Sequence, residues 1–177
     1  MRLLALFCLL TASRAIADAT PSPRCAAPEP AAAKVEEARA EAVQSPLYGF
    51  AAKTFGPPAS CDGTFRLTPD GRSSRLTFHF ADGSSLTFEV SPPETVVETL
   101  RSKAPLPDVA RAKAALQAEA KYSNGTIDWG GKPEERRKRG AETTTRTYWD
   151  PDPDFHLGVD LVYRGRELVG LRFHLAL

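Results

Sequence analysis

The chain has 177 residues, 42% of them hydrophobic, with 23 Lys and Arg set against 22 Asp and Glu. So even a balance gives no broad electrostatic footprint for nucleic acid or an anionic membrane, and the length fits one domain or two small ones. The 15 prolines stand mostly between patterned segments, as punctuation.

Arg2, the apolar run Leu3 to Leu10 and the small-x-small end Ala15-Ile16-Ala17 predict a secretory signal peptide over residues 1–17. The run is too short to span a bilayer, so the expectation is an exported chain, periplasmic or extracellular, cleaved before Asp18 and without a stable membrane anchor. Cleavage removes Arg2 and Arg14 and no acid, turning the net charge from +1 to −1. Cys8 leaves with the signal. Cys25 and Cys61 remain, and in an oxidising compartment their default is a disulfide, which would close a loop of about 36 residues. Neither CxxC, the redox signature, nor a small residue before either Cys8 or Cys25, as lipid attachment needs, is present.

Residues 18–30 form a Pro- and Ala-rich leader. Ala31 to Gln44 is an alanine-rich helix candidate with a thin apolar face (Val35, Ala38, Ala42, Val43). Ser45-Pro46 supplies N-cap and N1 for a second helix, Leu47 to Phe55, stopped by Gly56-Pro57-Pro58. Thr64 to Thr68, Arg75 to Phe80 and Ser85 to Val90 are strand candidates. The last two alternate cleanly, and the Ala81-Asp82-Gly83 loop pairs Phe78 with Leu86 and Leu76 with Phe88. Ser91-Pro92-Pro93-Glu94 has the form of a capping box and predicts a helix carrying Val96, Val97 and Leu100. Asp108 to Tyr122 is a further helix, with Val109, Ala112, Leu116 and Ala120 inward and Ser123-Asn124-Gly125 at its end. A Thr-rich strand, Glu142 to Trp149, precedes a last hairpin, Phe155 to Tyr163 and Glu167 to Leu177, around Arg164-Gly165-Arg166.

The predicted fold is α+β, with helices packed on antiparallel β-sheet. Residues 31–90 and 91–177 show the same element order, which suggests two tandem helix-plus-three-strand repeats. In the first half, SPLYGFAAKTFGPP followed by LTFHFADGSSLTFEV resembles the BamE/SmpA family of small α+β modules. Phe55-Gly56-Pro57-Pro58 stands at that family's L-G-x-P turn and Ala81-Asp82-Gly83 at its hairpin. Two such modules in tandem are the architecture of β-lactamase inhibitory proteins. The resemblance implies a non-catalytic binder that docks a partner on its sheet face. The second half departs from it, through the extra residue in Trp129-Gly130-Gly131-Lys132-Pro133 and the basic insertion that follows.

Motifs for chemistry are sparse. No Gly-x-Ser-x-Gly is present, no cofactor is implied, and the acidic Asp150 to Asp154 run lacks the Gly and distal Glu of a calcium loop. Pairing Val159 with Leu171 in the last hairpin sets His156 opposite His174, with Cβ atoms about 4.5–5.5 Å apart. Such a pair could begin a zinc or copper site if Asp160 or Glu89 joined it. Arg136, Arg137, Lys138 and Arg139 form the strongest local charge feature, expected as a loop. With the aromatic Tyr148 and Trp149 they are the candidate contacts for a protein partner. The function expected from sequence is therefore secreted or periplasmic binding or inhibition by protein–protein contact. The competing expectation is a metal-binding protein or an enzyme that uses His156 and His174.

Overall fold

The computed structural model describes residues 22–92, 95–137, 142–152 and 154–176. The expected signal peptide therefore lies outside the described residues. In chain order the elements are β1 (Cys25–Ala26), α1 (Ala32–Ala42), α2 (Pro46–Phe55), β2 (Ser60–Thr68), β3 (Gly71–His79), β4 (Ser85–Ser91), β5 (Thr95–Arg101), α3 (Val109–Tyr122), β6 (Glu134–Arg137), β7 (Thr143–Trp149), β8 (Leu157–Arg164) and β9 (Glu167–Ala176). Among the described residues these make three helices and one mixed sheet of nine strands, ordered β1-β2-β3-β4-β5-β9-β8-β7-β6, so the chain is α+β. Only β1 runs parallel to its neighbour; every other pair is antiparallel.

Local chemistry sets the helix ends. The Ser45 hydroxyl accepts from the Leu47 and Tyr48 N–H groups at the start of α2, and Gly56, at φ 82°, closes it. The Asp108 side chain accepts from the Arg111 N–H at the start of α3. Asn124, at φ 61°, turns the chain out of that helix. Gly63 of β2 has no room for a side chain: a Cβ would lie 2.2 Å from Val35 Cγ1 of α1. The Cys25–Cys61 disulfide ties β1 to β2, with Cα atoms 4.3 Å apart.

The β3–β4 hairpin has the register its alternation requires, Leu76 with Phe88 and Phe78 with Leu86. Gly83, at φ 86°, occupies its loop. These four side chains, with Leu157, Val159, Leu161, Leu171 and Phe173 of the last hairpin, are buried. They face the helices: α1 touches β1, β2 and β3, α2 touches β5 and α3, and α3 touches β9. Phe78 is gripped edge-on by Tyr48 and Phe88, with ring centroids 5.0 and 5.8 Å away. No helix among the described residues is long and apolar enough to cross a membrane.

Three sequence expectations are corrected. Residues 95–101 form β5, not a helix; the rest of the expected capping box, Pro93 and Glu94, lies outside the described residues. Thr95, Val96, Val97 and Thr99 are β-branched and favour strand. As the central strand, β5 pairs along both edges, with β4 and β9, which a seven-residue helix could not match. Secondly, Arg136 and Arg137 belong to the edge strand β6 rather than to a loop, while Lys138 and Arg139 lie outside the described residues. Thirdly, His174 stands opposite Gly158, not His156, whose carbonyl instead accepts from the Ala176 N–H. The turn pairs Arg164 with Glu167, leaving a two-residue loop, which moves the register by one. A bulge between Val162 and Tyr163 moves it by one more. The second shift is required, because an odd slip would turn one apolar set of the hairpin away from the core.

Candidate functional site on the uncovered face of the sheet

The helices cover one face of the sheet, and the opposite face presents rows of polar side chains defined by the register. One row runs Trp149, Gly158, His174, Val97, Glu89, Arg75 across β7, β8, β9, β5, β4 and β3. The next runs Thr147, Asp160, Arg172, Thr99, Thr87, Thr77, Asp62. Threonine suits these positions: its branched carbon favours the pleated strand while its hydroxyl stays satisfied at a wet surface, as in the 3.2 Å contact between Thr77 and Thr87.

A connected group of side chains on this face lies over β7, β8 and β9. Asp160 is only 8% exposed although it belongs to the uncovered side. It accepts a 2.7 Å hydrogen bond from the Thr147 hydroxyl and faces His174 Nε2 at 3.7 Å. Burial pushes the Asp160 carboxyl up, but the His174 ring, the Thr147 hydroxyl and the Arg172 charge outweigh it and hold the group below the usual carboxylate range. The His174 ring meets Trp149 edge-on, with centroids 5.1 Å apart. Gly158 makes this contact possible, because a Cβ there would lie 2.5 Å from His174 Cε1 and 2.8 Å from Trp149 Cε3. Trp149 remains 41% exposed, an aromatic platform beside a buried carboxylate.

Six arginines belong to this face by register: Arg66, Arg75, Arg101, Arg136, Arg164 and Arg172. Five carboxylates share it, Glu167 opposite Arg164 among them, and the other four are already engaged. Asp62 pairs with His79 at 2.9 Å, Glu89 with Arg75 at 3.4 Å, Glu134 with Arg136 at 3.4 Å, and Asp160 faces His174. Among the described residues, Arg66, Arg101, Arg164 and Arg172 have no ion pair.

The partner-binding candidates from the sequence divide between the two sides. Arg136 and Trp149 belong to the uncovered face. Arg137 and Tyr148, one position along their strands, belong to the helix side. Tyr148 packs there against Trp129, with ring centroids 5.0 Å apart, and the Lys113 ammonium lies over both rings. His156 is exposed and does not meet His174. Among the described residues no group of three or more His, Cys, Asp or Glu is arranged to hold a metal.

A second polar constellation, on the helix side, escaped the sequence. Ser45 Oγ lies 2.8 Å from both Glu98 Oε2 and Glu119 Oε2, and Glu119 Oε2 also accepts from the Leu47 N–H at 2.9 Å. All three residues are buried. Burial pushes both carboxyls up, Glu98 to about 9, where the neighbouring Glu119 charge adds to the effect and the Ser45 hydroxyl opposes it. The signal in α3 was available: Glu119 falls three residues after Leu116, on the same inward stripe. No such signal existed for Glu98, whose inward direction depends on β5 being a strand. Comparison with known proteins yields no matching family model, curated protein or solved structure.

Proposed function

We propose that the chain is an exported, non-catalytic binding or inhibitory protein that docks an acidic protein surface on the uncovered face of its sheet. The supporting observation is the charge of that face: six arginines share it with five carboxylates, four of which are already engaged by a neighbouring side chain, and four of the arginines have no ion pair among the described residues. Nine strands at about 4.8 Å spacing make a surface roughly 38 Å wide, enough for an interface of ordinary size. Trp149 and Arg172 supply the residue types that anchor such interfaces. The disulfide suits an oxidising compartment, and the signal-like pattern of residues 1–17 supports periplasmic or extracellular placement.

We also read the chain as a tandem duplication. One unit is α1 and α2 followed by the β2–β5 meander, and the other is α3 followed by the β6–β9 meander, with the two last strands paired at the centre of the sheet. The helix pair running into a meander supports a BamE/SmpA-like origin; the fourth strand of each unit departs from that pattern. The test is affinity capture with mature protein as bait in exported-fraction extract, against a Trp149→Ala, Arg101→Glu, Arg172→Glu variant. Wild-type protein should retain a partner that salt weakens and the variant loses. Equal recovery by both proteins would remove the sheet face from the interaction.

A further inference from the structure

Away from the proposed docking face, a cleft of about 940 Å³ lies among α1, the β2–β3 turn, β4 and β5, with the exposed Tyr122 of α3 beside it. Its walls include Ala38, Ala42, Leu76, Phe88, Val90 and Val96. Its two most buried polar residues are Ser45 and Glu98, 6% and 5% exposed.

Hydrogen-bond bookkeeping fixes where one proton sits. Ser45 Oγ carries a single hydrogen, yet it lies 2.8 Å from a carboxyl oxygen of Glu98 and from one of Glu119. That hydroxyl also accepts from the Leu47 and Tyr48 N–H groups, which fills both its lone pairs, so its hydrogen serves one carboxyl, and of two carboxyls held together in this buried site one keeps its proton. Glu119 also accepts from the first turn of α2, where the helix dipole favours an anion, so it keeps the charge and Glu98 keeps the proton. The cleft thus holds, among apolar side chains, an acid that stays neutral because no cation sits beside it. The other charged or titratable groups around it are Glu41 from α1, Asp70 and Arg72 from the β2–β3 turn, Glu89 from β4, and Glu119 and Tyr122 from α3. Acid outnumbers base among them.

We propose that this cleft binds a small molecule carrying a protonated amine on an apolar body, with the ammonium on Glu98 and the body along Leu76, Phe88 and Val96. Binding is an ion exchange: the ligand keeps its protons, Glu98 releases one to solvent, and the new carboxylate–ammonium pair replaces the neutral acid. An apolar alcohol of the same length would gain only the walls, and a carboxylate would meet a second acid.

The test is calorimetric titration of mature protein at pH 7 with n-octylammonium, n-octanol and octanoate, in two buffers of different ionisation enthalpy. Octylammonium should bind about tenfold or more tightly than octanol, and octanoate more weakly than either. Its enthalpy should depend on buffer by about one released proton per ligand. In Glu98→Gln the ammonium should fall to the affinity of octanol and the proton release should vanish, while unchanged octanol binding shows the cleft intact. Ala38→Trp, which fills the cleft from the partly buried face of α1, should lose both ligands. It keeps the question decidable if Glu98→Gln does not fold. Equal affinity for octylammonium and octanol, full ammonium binding by Glu98→Gln, or binding of none of the three probes overturns the proposal and leaves the pair as a clamp between α2, α3 and β5.

Discussion

Raising the pH from 5 to 8 should cost the folded chain stability through one carboxyl. Burial pushes Glu98 up to about 9, whereas a glutamate in an unfolded chain titrates near about 4.3. Across this window the folded state keeps a proton that the unfolded state has released. The folded state therefore binds more protons, and stability falls as pH rises. Each pH unit costs up to about 1.4 kcal/mol, so the change from 5 to 8 costs about 4 kcal/mol at most. Glu119, also pushed up by burial but pulled back by the Leu47 N–H, Ser45 and Glu98, acts in the same direction. Asp160 works the other way, but its carboxyl lies below the usual range, so its contribution is already complete above about pH 5. Set against the total of about 5–15 kcal/mol expected for a domain, the loss is large; at about 2–4 °C per kcal/mol it lowers the melting temperature by about 8–16 °C. The assay is thermal unfolding of mature protein at constant ionic strength from pH 5 to 8, with Glu98→Gln in parallel. Glutamine keeps the side-chain volume and has no proton to lose, so its profile should be flatter and should lie above the wild type at pH 8. A wild-type melting temperature that stays level or rises, or a variant with the wild-type slope, would refute the reasoning.

The disulfide and the core give two further expectations. Mass spectrometry of the non-reduced protein should find the Cys25 and Cys61 peptides linked, and reduction should cost about 4 kcal/mol for a 36-residue separation; alkylatable thiols at these two positions would contradict the bond. Phe173→Ala should destabilise by about 3–5 kcal/mol, because the ring is 1% exposed at the sheet centre, whereas Thr99→Ala on the uncovered face should cost within about 1 kcal/mol. Denaturant melts that rank the two the other way round would reverse the assignment of faces.

Where the sequence pattern was local and periodic, it was enough to place the elements. Alternation around Phe78 and Phe88 determined a hairpin, its register and its buried face, and Ser45-Pro46 marked the start of a helix to the residue. The pattern misled where two local signals competed. Ser91-Pro92-Pro93-Glu94 has helix-start chemistry, but Thr95, Val96, Val97 and Thr99 are strand formers, and the choice between them falls to the β4 and β9 edges that β5 joins. Register in the last hairpin was illegible for a related reason. Alternation defines which residues share a face but not how far one strand slides by twos, and the bulge between Val162 and Tyr163 leaves no mark in composition. The candidate sites suffered accordingly. A histidine pair inferred from a slide of zero became His174 beside Trp149 and Asp160, and the Ser45–Glu98–Glu119 group joins three segments that no short motif spans.

Total charge hid what matters most about this surface. A net charge near zero describes a sum over two unlike sides. On the uncovered face six arginines meet five carboxylates, four of them already engaged, while Glu41, Asp70, Glu98 and Glu119 gather around the cleft on the helix side against Arg72. The division follows from strand alternation: moving one residue along β5, from Thr99 to Glu98, crosses the sheet from the face that carries Arg101 to the one that holds the buried acid. A partner drawn by the arginines would approach from the side opposite the cleft. Salt should therefore weaken macromolecular docking, while pH near neutrality governs the buried acid. The two responses are separable in one protein, because Arg172→Glu acts on the first without touching Glu98, and Glu98→Gln acts on the second without altering the arginine face.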